Sequence, residues 1–282
     1  MDAEKFKKIV WEYYRKHGRY DLPWRKTKDP YKILVSEMML QQTQVARVIP
    51  KYESWMKKFP NLRMLAKASI KDVLKEWQGL GYNRRALYLK KTAEKLDLRA
   101  RSLSEAHKRE NPIISAVFPS DLYELQKFPG IGQSTAGAIM AFAYNQPVVF
   151  IETNIRSVFI HHFFPKARKV SDEKIIPLIE KTVDRKNPRE WYYALMDYGV
   201  YLKSTGANPS RKSKHHTKQL AFKGSNRELR AHILREIISK PCTEKEVIKK
   251  FPKTPHDITK ILSSLVTEGF IVKNKISYTI KK

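Results

Sequence analysis

Cysteine is almost missing from this chain, whose 282 residues include one, Cys242. A single thiol allows no internal disulfide and no metal cage made of cysteines. Apolar segments are also short, and none approaches the roughly 20 residues that cross a bilayer. Residues 1–18 contain acids and no continuous apolar segment, so they do not predict export. We therefore expect a cytoplasmic protein without a membrane partner, associated with the nucleoid if the cell is prokaryotic.

Acidic residues are few beside basic ones, so the chain carries a large positive charge. Its 56 Lys and Arg against 28 Asp and Glu leave a formal net charge of +28 at pH 7. This charge exceeds what solubility requires and favours a polyanionic partner. Nucleic acid is the first candidate and an anionic membrane surface the second, although no segment is apolar enough to span that membrane. The length suggests two or three structural units.

The residue pattern divides the chain into a helical region, a connector and a small C-terminal domain. In residues 1–205, apolar positions follow helical spacing and are interrupted by Pro and Gly, which predicts a mainly α fold. Residues 206–226 are rich in Lys, Ser, Asn and Gly, which predicts a solvated basic connector. Residues 227–282 predict three short helices and a hairpin around Lys273–Lys275. This order is typical of a winged helix, a fold that contacts DNA or protein.

The segment FPGIGQSTAG, residues 128–137, contains two glycines at the start of a predicted helix. Gly130 and Gly132 let backbone N–H groups converge where the positive end of the helix dipole suits a phosphate oxygen. A tight turn between helices is the other interpretation, because a lone Gly-x-Gly is a weak motif. Apolar residues before the turn and small residues after it match a helix-hairpin-helix, which favours contact with a DNA backbone.

Glu37 is an ionisable residue in an apolar segment, VSEMMLQQTQV, residues 35–45. A helix start would explain an acid there, since Asp and Glu stabilise helix N-termini. Apolar residues on both sides of Glu37 instead predict that a helix through residues 31–45 buries or half-buries the carboxyl. Burial raises the pKa of a carboxyl, and a Glu that is partly protonated near neutral pH can act as a general acid.

A second acid, Glu152, follows the apolar residues 148–151. Taken alone, it fits a helix N-cap or a surface acid. Cleavage of a bond at a sugar C1 passes through an oxocarbenium-like state. Enzymes meet that state with one carboxyl as proton donor and another as base, nucleophile or electrostatic stabiliser. Glu37 and Glu152 are therefore candidates for such a pair.

Four segments of the chain resemble the helix-hairpin-helix DNA glycosylase superfamily, and within it the MutY-like adenine glycosylases. They are residues 22–60, residues 77–91 with the sequence WQGLGYNRRALYLKK, residues 128–139, and the ALMDYG segment at 194–199. The resemblance covers about residues 5–205. It implies a mainly α fold of two helical subdomains, a six-helix one at about 28–145 and a second from 1–27 and 146–205, followed by the winged-helix domain.

The resemblance implies monofunctional release of mispaired adenine, opposite G or 8-oxoguanine, in base excision repair. Glu37 would protonate the adenine ring and help to activate water. Glu152 and Asn154 stand where the family has Asp-Gly-Asn, so the second acid is one methylene longer than in the family. Ser134 stands where bifunctional relatives hold a Schiff-base lysine, so we expect no lyase activity. The expected partner is double-stranded DNA with a mismatch or damaged base, bound by a monomer.

The resemblance also assigns residues to the surroundings of the extruded base and to the DNA backbone. Gln42 would fill the stack where the base has left, and Tyr82 would intercalate beside the opposing purine. Arg25 and Leu80 would line the same neighbourhood. Backbone contacts would come from the turn and from the connector, through Gly130, Gly132, Gln133, Thr135, Lys212 and Lys214.

No cofactor is expected. Most family members hold a four-cysteine iron–sulfur cluster after the ALMDYG helix, whereas this chain has no cysteine there and resembles the branch without the cluster. The connector is expected to contact phosphates in its place. The histidine pairs at 161–162 and 215–216 do not predict a metal site, because adjacent side chains on one backbone seldom form one.

Two other functions fit parts of the pattern. A mismatch glycosylase for thymine or uracil opposite guanine would use the same fold. The C-terminal module that reads 8-oxoguanine in MutY proteins is replaced here by the smaller winged helix. The sequence therefore leaves undecided which base is recognised opposite the excised one. A noncatalytic DNA-binding protein could reuse the scaffold. A Glu37→Gln substitution distinguishes a glycosylase from a noncatalytic DNA-binding protein. Only the glycosylase would lose turnover, because only catalysis requires the proton of Glu37.

Overall fold

The computed structural model describes residues 1–107, 117–206, 208–219, 221–251 and 255–281. The protein is mainly α-helical, with one small sheet near the C-terminus. Packing divides the chain into two compact units. The first comprises Met1–Glu37 and Ile113–Lys218, and the second comprises Met38–Pro112 and Gln219–Lys282. The mainly α fold class is confirmed, whereas the predicted domain boundaries stay a prediction.

The helices are numbered along the chain. They are α1 (Ala3–His17), α2 (Pro30–Leu40), α3 (Val45–Lys58), α4 (Leu62–Lys67), α5 (Ile70–Trp77), α6 (Arg84–His107), α7 (Leu122–Gln126), α8 (Gln133–Tyr144), α9 (Thr153–Phe163), α10 (Asp172–Thr182), α11 (Pro188–Ser204), α12 (Asn226–Ser239), α13 (Glu244–Lys250) and α14 (Pro255–Thr267). Short 3-10 turns lie at Pro23–Arg25 and Pro209–Lys212. In the described part of the chain, no helix is both long and apolar enough to cross a membrane.

Short polar side chains set many of the helix starts. Asp2 accepts hydrogen bonds from the backbone N–H groups of Glu4 and Lys5, at 3.0 and 3.1 Å, where α1 begins. Ser69 and Ser225 cap α5 and α12 in the same way. Each cap satisfies an N–H group that has no partner within its helix. Local sequence therefore determines where these helices begin.

The core of the first unit is built around α9 and α11. Phe6, Phe159 and Trp191 are fully buried there, and the ring of Phe6 lies 5.0 Å from that of Phe159 and 6.1 Å from that of Trp191. The two helices approach closely at Gly199, where an added Cβ would lie 2.4 Å from the carbonyl oxygen of Asn154. Any larger residue would separate α11 from the start of α9. Glycine at this position therefore helps to place Asn154.

The helices α3–α6 of the second unit pack around two tryptophans. Trp55 and Trp77 are fully buried, and their ring centroids are 5.6 Å apart at an interplanar angle of 79°. Aromatic pairs favour such edge-to-face packing over a face-to-face sandwich. This core supports the segment that leads from Trp77 into α6.

The C-terminal residues of the second unit form the predicted three helices and hairpin. A three-stranded antiparallel sheet of order β1–β3–β2 accompanies α12–α14, with β1 at Cys242–Thr243, β2 at Ile271–Asn274 and β3 at Ser277–Ile280. Ile271 pairs with Ile280, and Lys275 turns the hairpin with φ 50°. Ile233, Leu262 and Phe270 are fully buried. The hairpin around Lys273–Lys275 is therefore confirmed.

Candidate active site

Glu37 lies well inside α2, which begins at Pro30, so the alternative position at a helix start is wrong. Its neighbours Val35 and Met38 are fully buried, and Glu37 itself is half-buried, so part of it stays accessible. Burial, and then the charge of Glu152, raise the pKa of Glu37 from 4.5 to about 8. A carboxyl with this pKa is largely protonated at neutral pH and can donate its proton.

Glu152 is the N-cap of α9 and lies within electrostatic reach of Glu37. Its carboxylate accepts a hydrogen bond from the backbone N–H of Ile155 at 2.8 Å. The side-chain amide of Asn154 donates to its other oxygen at 3.1 Å. The carboxylate is thus oriented by the first turn of α9. The fold therefore brings together the two acids that the sequence separates widely.

Asn154 and Lys203 complete the polar surroundings of Glu152. The amide oxygen of Asn154 is buried and has no hydrogen-bond partner among the described residues. A buried acceptor without a partner is costly, so this oxygen is suited to a bound molecule or water. Burial lowers the pKa of Lys203, in the last turn of α11, and the charge of Glu152 partly offsets that effect. Sequence analysis missed Lys203, because nothing local distinguishes it from the many other lysines.

Arg25 forms a buried ion pair with Asp197 of the ALMDYG segment. Two guanidinium nitrogens of Arg25 donate to the two carboxylate oxygens, each at 2.7 Å, and these side chains are 5% and 2% exposed. Arg19 adds two further hydrogen bonds, from its backbone N–H at 2.9 Å and from Nε at 2.7 Å. Burial alone raises the pKa of Asp197, but the bonds and charge of Arg25 and Arg19 hold it below its usual value.

Tyr193 contacts this ion pair and lies within electrostatic reach of Glu37. The guanidinium carbon of Arg25 lies 4.3 Å from the centroid of the Tyr193 ring, which is a favourable cation–π distance. Burial raises the pKa of Tyr193, with Arg25 opposing the shift and Glu37 adding to it. The predicted pocket residue Arg25 and the acid Glu37 therefore both act electrostatically on Tyr193. The role of Arg25 in the fold is to hold Asp197 and Tyr193.

Gln42 and Tyr82 occupy two exposed turns of the second unit, the Gln42 turn (residues 41–43) and the Tyr82 turn (residues 80–82). Both residues have left-handed backbone, with φ of 54° and 47°. Both are exposed, whereas Leu80 is buried, with 3% of its surface accessible. A non-glycine residue rarely adopts this conformation without compensating contacts. The two side chains assigned to the DNA stack are thus both presented from strained turns.

Arg85 supplies the compensating contacts and was missed by sequence analysis. The residue is 7% exposed. Its guanidinium donates to carbonyl oxygens beside and within both turns at 2.5–3.4 Å, those of Met38, Met39, Gln41, Leu80, Gly81 and Tyr82. Burial lowers the pKa of Arg85 to about 10, which leaves it protonated at neutral pH. One buried cation therefore fixes the backbone of both turns.

Replacing Arg85 with Met is expected to lower the free energy of unfolding by about 2 kcal/mol, because several buried carbonyl groups lose their donor. Urea denaturation measures this loss. Arg99 is exposed in the same helix, α6, so Arg99→Met is the matched control, with an expected change within about 0.5 kcal/mol. Equal losses of the free energy of unfolding in the two variants would show that the hydrogen bonds of Arg85 do not stabilise the two turns.

The predicted helix-hairpin-helix is formed by α7, α8 and the turn between them. Gly130 has φ 77°, and the backbone N–H of Ile131 donates to the carbonyl of Phe128 at 3.2 Å. Gly132 is the N-cap of α8 and makes no side-chain cap hydrogen bond, so no capping side chain covers the first N–H groups of this helix. The turn and first residues of α8 are solvent-exposed at Gly132, Gln133 and Ser134.

Two of the six predicted backbone-contact residues are less accessible than their sequence suggests. Thr135 is 8% exposed, so its side chain packs inward. Lys212 is half-buried, and its ammonium group donates to the carbonyl of Pro165 at 2.7 Å. Lys214 is exposed.

Part of the connector is packed rather than solvated, which corrects the prediction for Pro209, Ser210 and Ser213, whereas Arg211 and residues 214–216 are exposed as predicted. The backbone of Val170 pairs with the connector through two bonds of 2.8 Å, to the carbonyl of Lys212 and from the N–H of Lys214. Ser210 and Ser213 are buried. The polar composition was misleading because small hydroxyl side chains can be buried when they are hydrogen-bonded. Residues 207 and 220, also in the predicted connector, lie outside the described residues.

The two histidine pairs have partners in the fold. Burial lowers the pKa of His162 to about 4, and its Nε2 lies 3.0 Å from the hydroxyl of Tyr198. His215 lies 3.7 Å from the carboxylate of Asp172. Across the residues that the structure covers, no three His, Cys, Asp or Glu side chains are grouped so that they could hold a metal ion.

Comparison with known proteins identifies the family to which the chain belongs. Residues 35–184 match the family described as HhH-GPD superfamily base excision DNA repair protein. The chain belongs to this superfamily. It is similar in fold to a thermostable thymine-DNA glycosylase, with TM-score 0.55 and 21% identity over 70% of this chain and 86% of that one. It is also similar to an Endonuclease III bound non-covalently to DNA, with TM-score 0.54 and 15% identity over 71% and 87% of the two chains.

Curated relatives add a narrower similarity. The chain is 35% identical over 201 residues to an adenine DNA glycosylase of Buchnera aphidicola subsp. Baizongia pistaciae (strain Bp), covering 70% of this chain and 52% of the relative. It is 40% identical over 151 residues to an adenine DNA glycosylase of Mycobacterium tuberculosis (strain CDC 1551 / Oshkosh), covering 53% and 44%. The chain thus spans about half the length of these relatives.

Proposed function

We propose that this protein is a monofunctional DNA glycosylase that hydrolyses the N-glycosidic bond of adenine mispaired with G or 8-oxoguanine. The observation that carries the proposal is the half-buried carboxyl of Glu37, whose pKa is raised to about 8 by burial and by Glu152. Such a carboxyl is a proton donor at neutral pH. The name adenine DNA glycosylase, shared by relatives at 35% and 40% identity, supports adenine as the base.

In the proposed reaction, Glu37 donates its proton to a ring nitrogen of the extruded adenine. The bond between C1′ and the base then breaks, and its electron pair leaves with the neutral base. The carboxylate of Glu152 stabilises the positive charge that develops on the sugar. Glu37, now ionised, accepts a proton from the water that adds to C1′. The products are free adenine and an abasic site.

Asn154 has two proposed tasks beside Glu152. Its amide donates to the carboxylate of Glu152 and limits the orientations of that group. Its buried amide oxygen, which has no partner in the described structure, would accept a hydrogen bond from the attacking water or the sugar. Glu152 is longer than the aspartate of the resembled family, and its position as an N-cap brings its carboxylate back toward α9.

Base release without strand cleavage is the second part of the proposal. Ser134 is exposed at the start of α8 and offers a hydroxyl where a Schiff-base enzyme needs an amine. We propose that the reaction needs no metal and no iron–sulfur cluster, since the donors are carboxyl groups and the chain has one cysteine.

Duplex DNA is the proposed partner. The net charge of +28 suits a polyanion. Gly130, Gly132 and Gln133 would contact backbone phosphates from the exposed turn and start of α8, and Lys214 through its exposed ammonium group. Extrusion of a base costs a few kcal/mol, which a mismatch reduces. Gln42 and Tyr82 would fill the space in the stack and stabilise the opened duplex.

A base-release assay on a panel of duplexes tests the proposal. The duplexes share one sequence and differ in a central pair: A opposite G, A opposite 8-oxoguanine, A opposite T, T opposite G, and U opposite G. We expect alkali-labile abasic sites only at A opposite G or 8-oxoguanine, no strand cleavage without alkali, and no covalent adduct after borohydride. Processing of T or U opposite G with no release of adenine would identify a pyrimidine glycosylase instead.

A further inference from the structure

A shielded carboxylate holds the C-terminal segment of the second unit in place. Glu268 accepts hydrogen bonds from Arg84 at 3.0 Å and from Arg230 at 2.7 Å. The hydroxyl of Ser264 adds a bond of 2.7 Å, and the side chain of Glu268 is 16% exposed. Arginine forms directional pairs with carboxylates. Helix α12, which carries Arg230, therefore has a defined position beside the start of α6, which carries Arg84.

The same helix brings Arg227 to the Tyr82 turn. The guanidinium of Arg227 donates to the hydroxyl of Tyr82 at 2.7 Å, and its carbon lies 5.7 Å from the ring centroid. The amide of Gln219 donates to the same hydroxyl and to the amide oxygen of Gln42, the latter at 3.5 Å. We name these four side chains, Gln42, Tyr82, Gln219 and Arg227, the Tyr82 cluster.

The Tyr82 cluster presents the side-chain types that bind nucleobases. Gln42 and Gln219 are exposed, Arg227 is half-buried, and Tyr82 keeps 37% of its surface accessible. An aromatic ring stacks on a base, while Arg and Gln form hydrogen bonds with base edges, Arg above all with the acceptors of guanine. A phosphate would require only charge. The combination of ring, planar guanidinium and amides therefore fits a base better than a phosphate.

We infer that Arg227 and Gln219 determine which base is accepted opposite the extruded nucleotide, by hydrogen bonding to the edge of a base that stacks on Tyr82. The inference rests on the proposed function, and it gives the C-terminal segment a direct part in substrate choice. The hydrogen bonds to Tyr82 hold both side chains before DNA binds. Less conformational entropy is then lost when the base arrives.

Single-turnover rates of adenine release test the inference on duplexes with A opposite G, opposite 8-oxoguanine and opposite C. In Arg227→Ala, we expect the ratio of the rates for A opposite G and A opposite C to fall about tenfold, the value of one good base contact. Arg227→Lys is expected to restore little, because it keeps the charge and loses the planar fork. Arg235 is exposed on the same helix, so Arg235→Ala is the control and should leave the ratio unchanged.

Affinities for the same duplexes, from fluorescence anisotropy, separate the outcomes. If Arg227→Ala loses rate and affinity equally on every duplex, Arg227 contacts a phosphate. If the variant gains rate and affinity equally on every duplex, Arg227 restrains Tyr82 in the wild type. Either result, or an unchanged ratio, overturns the inference. Thermal unfolding verifies that the variants are folded. Wild-type protein that releases no adenine from any duplex overturns the proposed function, whereas active wild type with unaltered discrimination in Arg227→Ala overturns this inference alone.

Discussion

Replacing Glu37 with Gln is expected to lower the rate of adenine release about 1000-fold, because the amide cannot donate the proton that the leaving base needs. Affinity for the same duplex should remain within about twofold, since the substitution removes no contact with a phosphate. Glu12 is exposed in α1, so Glu12→Gln is the matched control with unchanged rate. Single-turnover release and anisotropy measure the two quantities. A variant that loses affinity in parallel with turnover would show a binding role for Glu37.

The pH dependence of the wild type follows from the same group. The pKa of Glu37 is raised to about 8, and the neutral carboxyl is the active form. The rate should therefore fall as the pH rises through about 8, and this descending limb should be absent from the residual activity of Glu37→Gln. A wild-type rate that stays constant between pH 7 and about pH 9 would exclude this carboxyl as the proton donor.

The stability of Glu37→Gln separates a catalytic defect from misfolding. The folded protein favours the neutral carboxyl, so the contribution of Glu37 to stability is full below its ordinary pKa of 4.5 and is lost as the pH rises through about 8. Relative to the wild type, Glu37→Gln should become more stable over this interval. Urea denaturation at pH 5 and pH 8 measures the change. A less stable variant at pH 8 would mean that the amide disrupts the packing of α2.

Asp197→Asn is expected to lower the free energy of unfolding by about 4 kcal/mol, because the guanidinium of Arg25 would remain buried without a counter-charge. Two short hydrogen bonds from Arg25 and two from Arg19 end on this carboxylate. Asp21 is exposed, and Asp21→Asn serves as the control, with an expected change within about 0.5 kcal/mol. Urea denaturation near pH 7 compares them.

The difference in the free energy of unfolding between the wild type and Asp197→Asn should become smaller at acidic pH. The pKa of Asp197 in the folded protein lies below its ordinary value of 3.8. The stabilising contribution of Asp197 is therefore present above pH 3.8 and is lost as the pH falls through the lowered pKa. The double variant Arg25→Met with Asp197→Asn should lose less free energy of unfolding than the sum of the losses in the two single variants. Additive losses, or a difference that does not shrink at low pH, would contradict the ion pair.

The resemblance to known glycosylases and the apolar flanks of Glu37 indicated the site before its geometry was known. Both observations concern residues that are close in the chain. The electrostatic coupling of Glu37 and Glu152 depends on the folding of the first unit, which contains both residues. Sequence pattern identified the two acids, and only the fold shows that each affects the other.

Arg85 illustrates why part of the site could not be predicted. The chain has adjacent arginines at 84 and 85, and nothing local shows which one is buried. In the structure, the exposed Arg84 binds the shielded carboxylate of Glu268, while the buried Arg85 reaches carbonyl groups in two separate turns. The sequence also does not predict the left-handed backbone of Gln42 and Tyr82, because sequence signals for that conformation come mainly from Gly, Asn and Asp.

The chain's own residue order determined the mainly α class, the helix starts at capping residues, the C-terminal hairpin and the identity of the two acids. These features depend on neighbours in sequence, through capping, periodicity and turn propensity. Tertiary structure decided the pKa of Glu37, the burial of the Arg25–Asp197 pair and the packing of Val170 against the connector. Each of these depends on desolvation or hydrogen bonding between segments that are distant in the chain, and a linear pattern does not contain those distances.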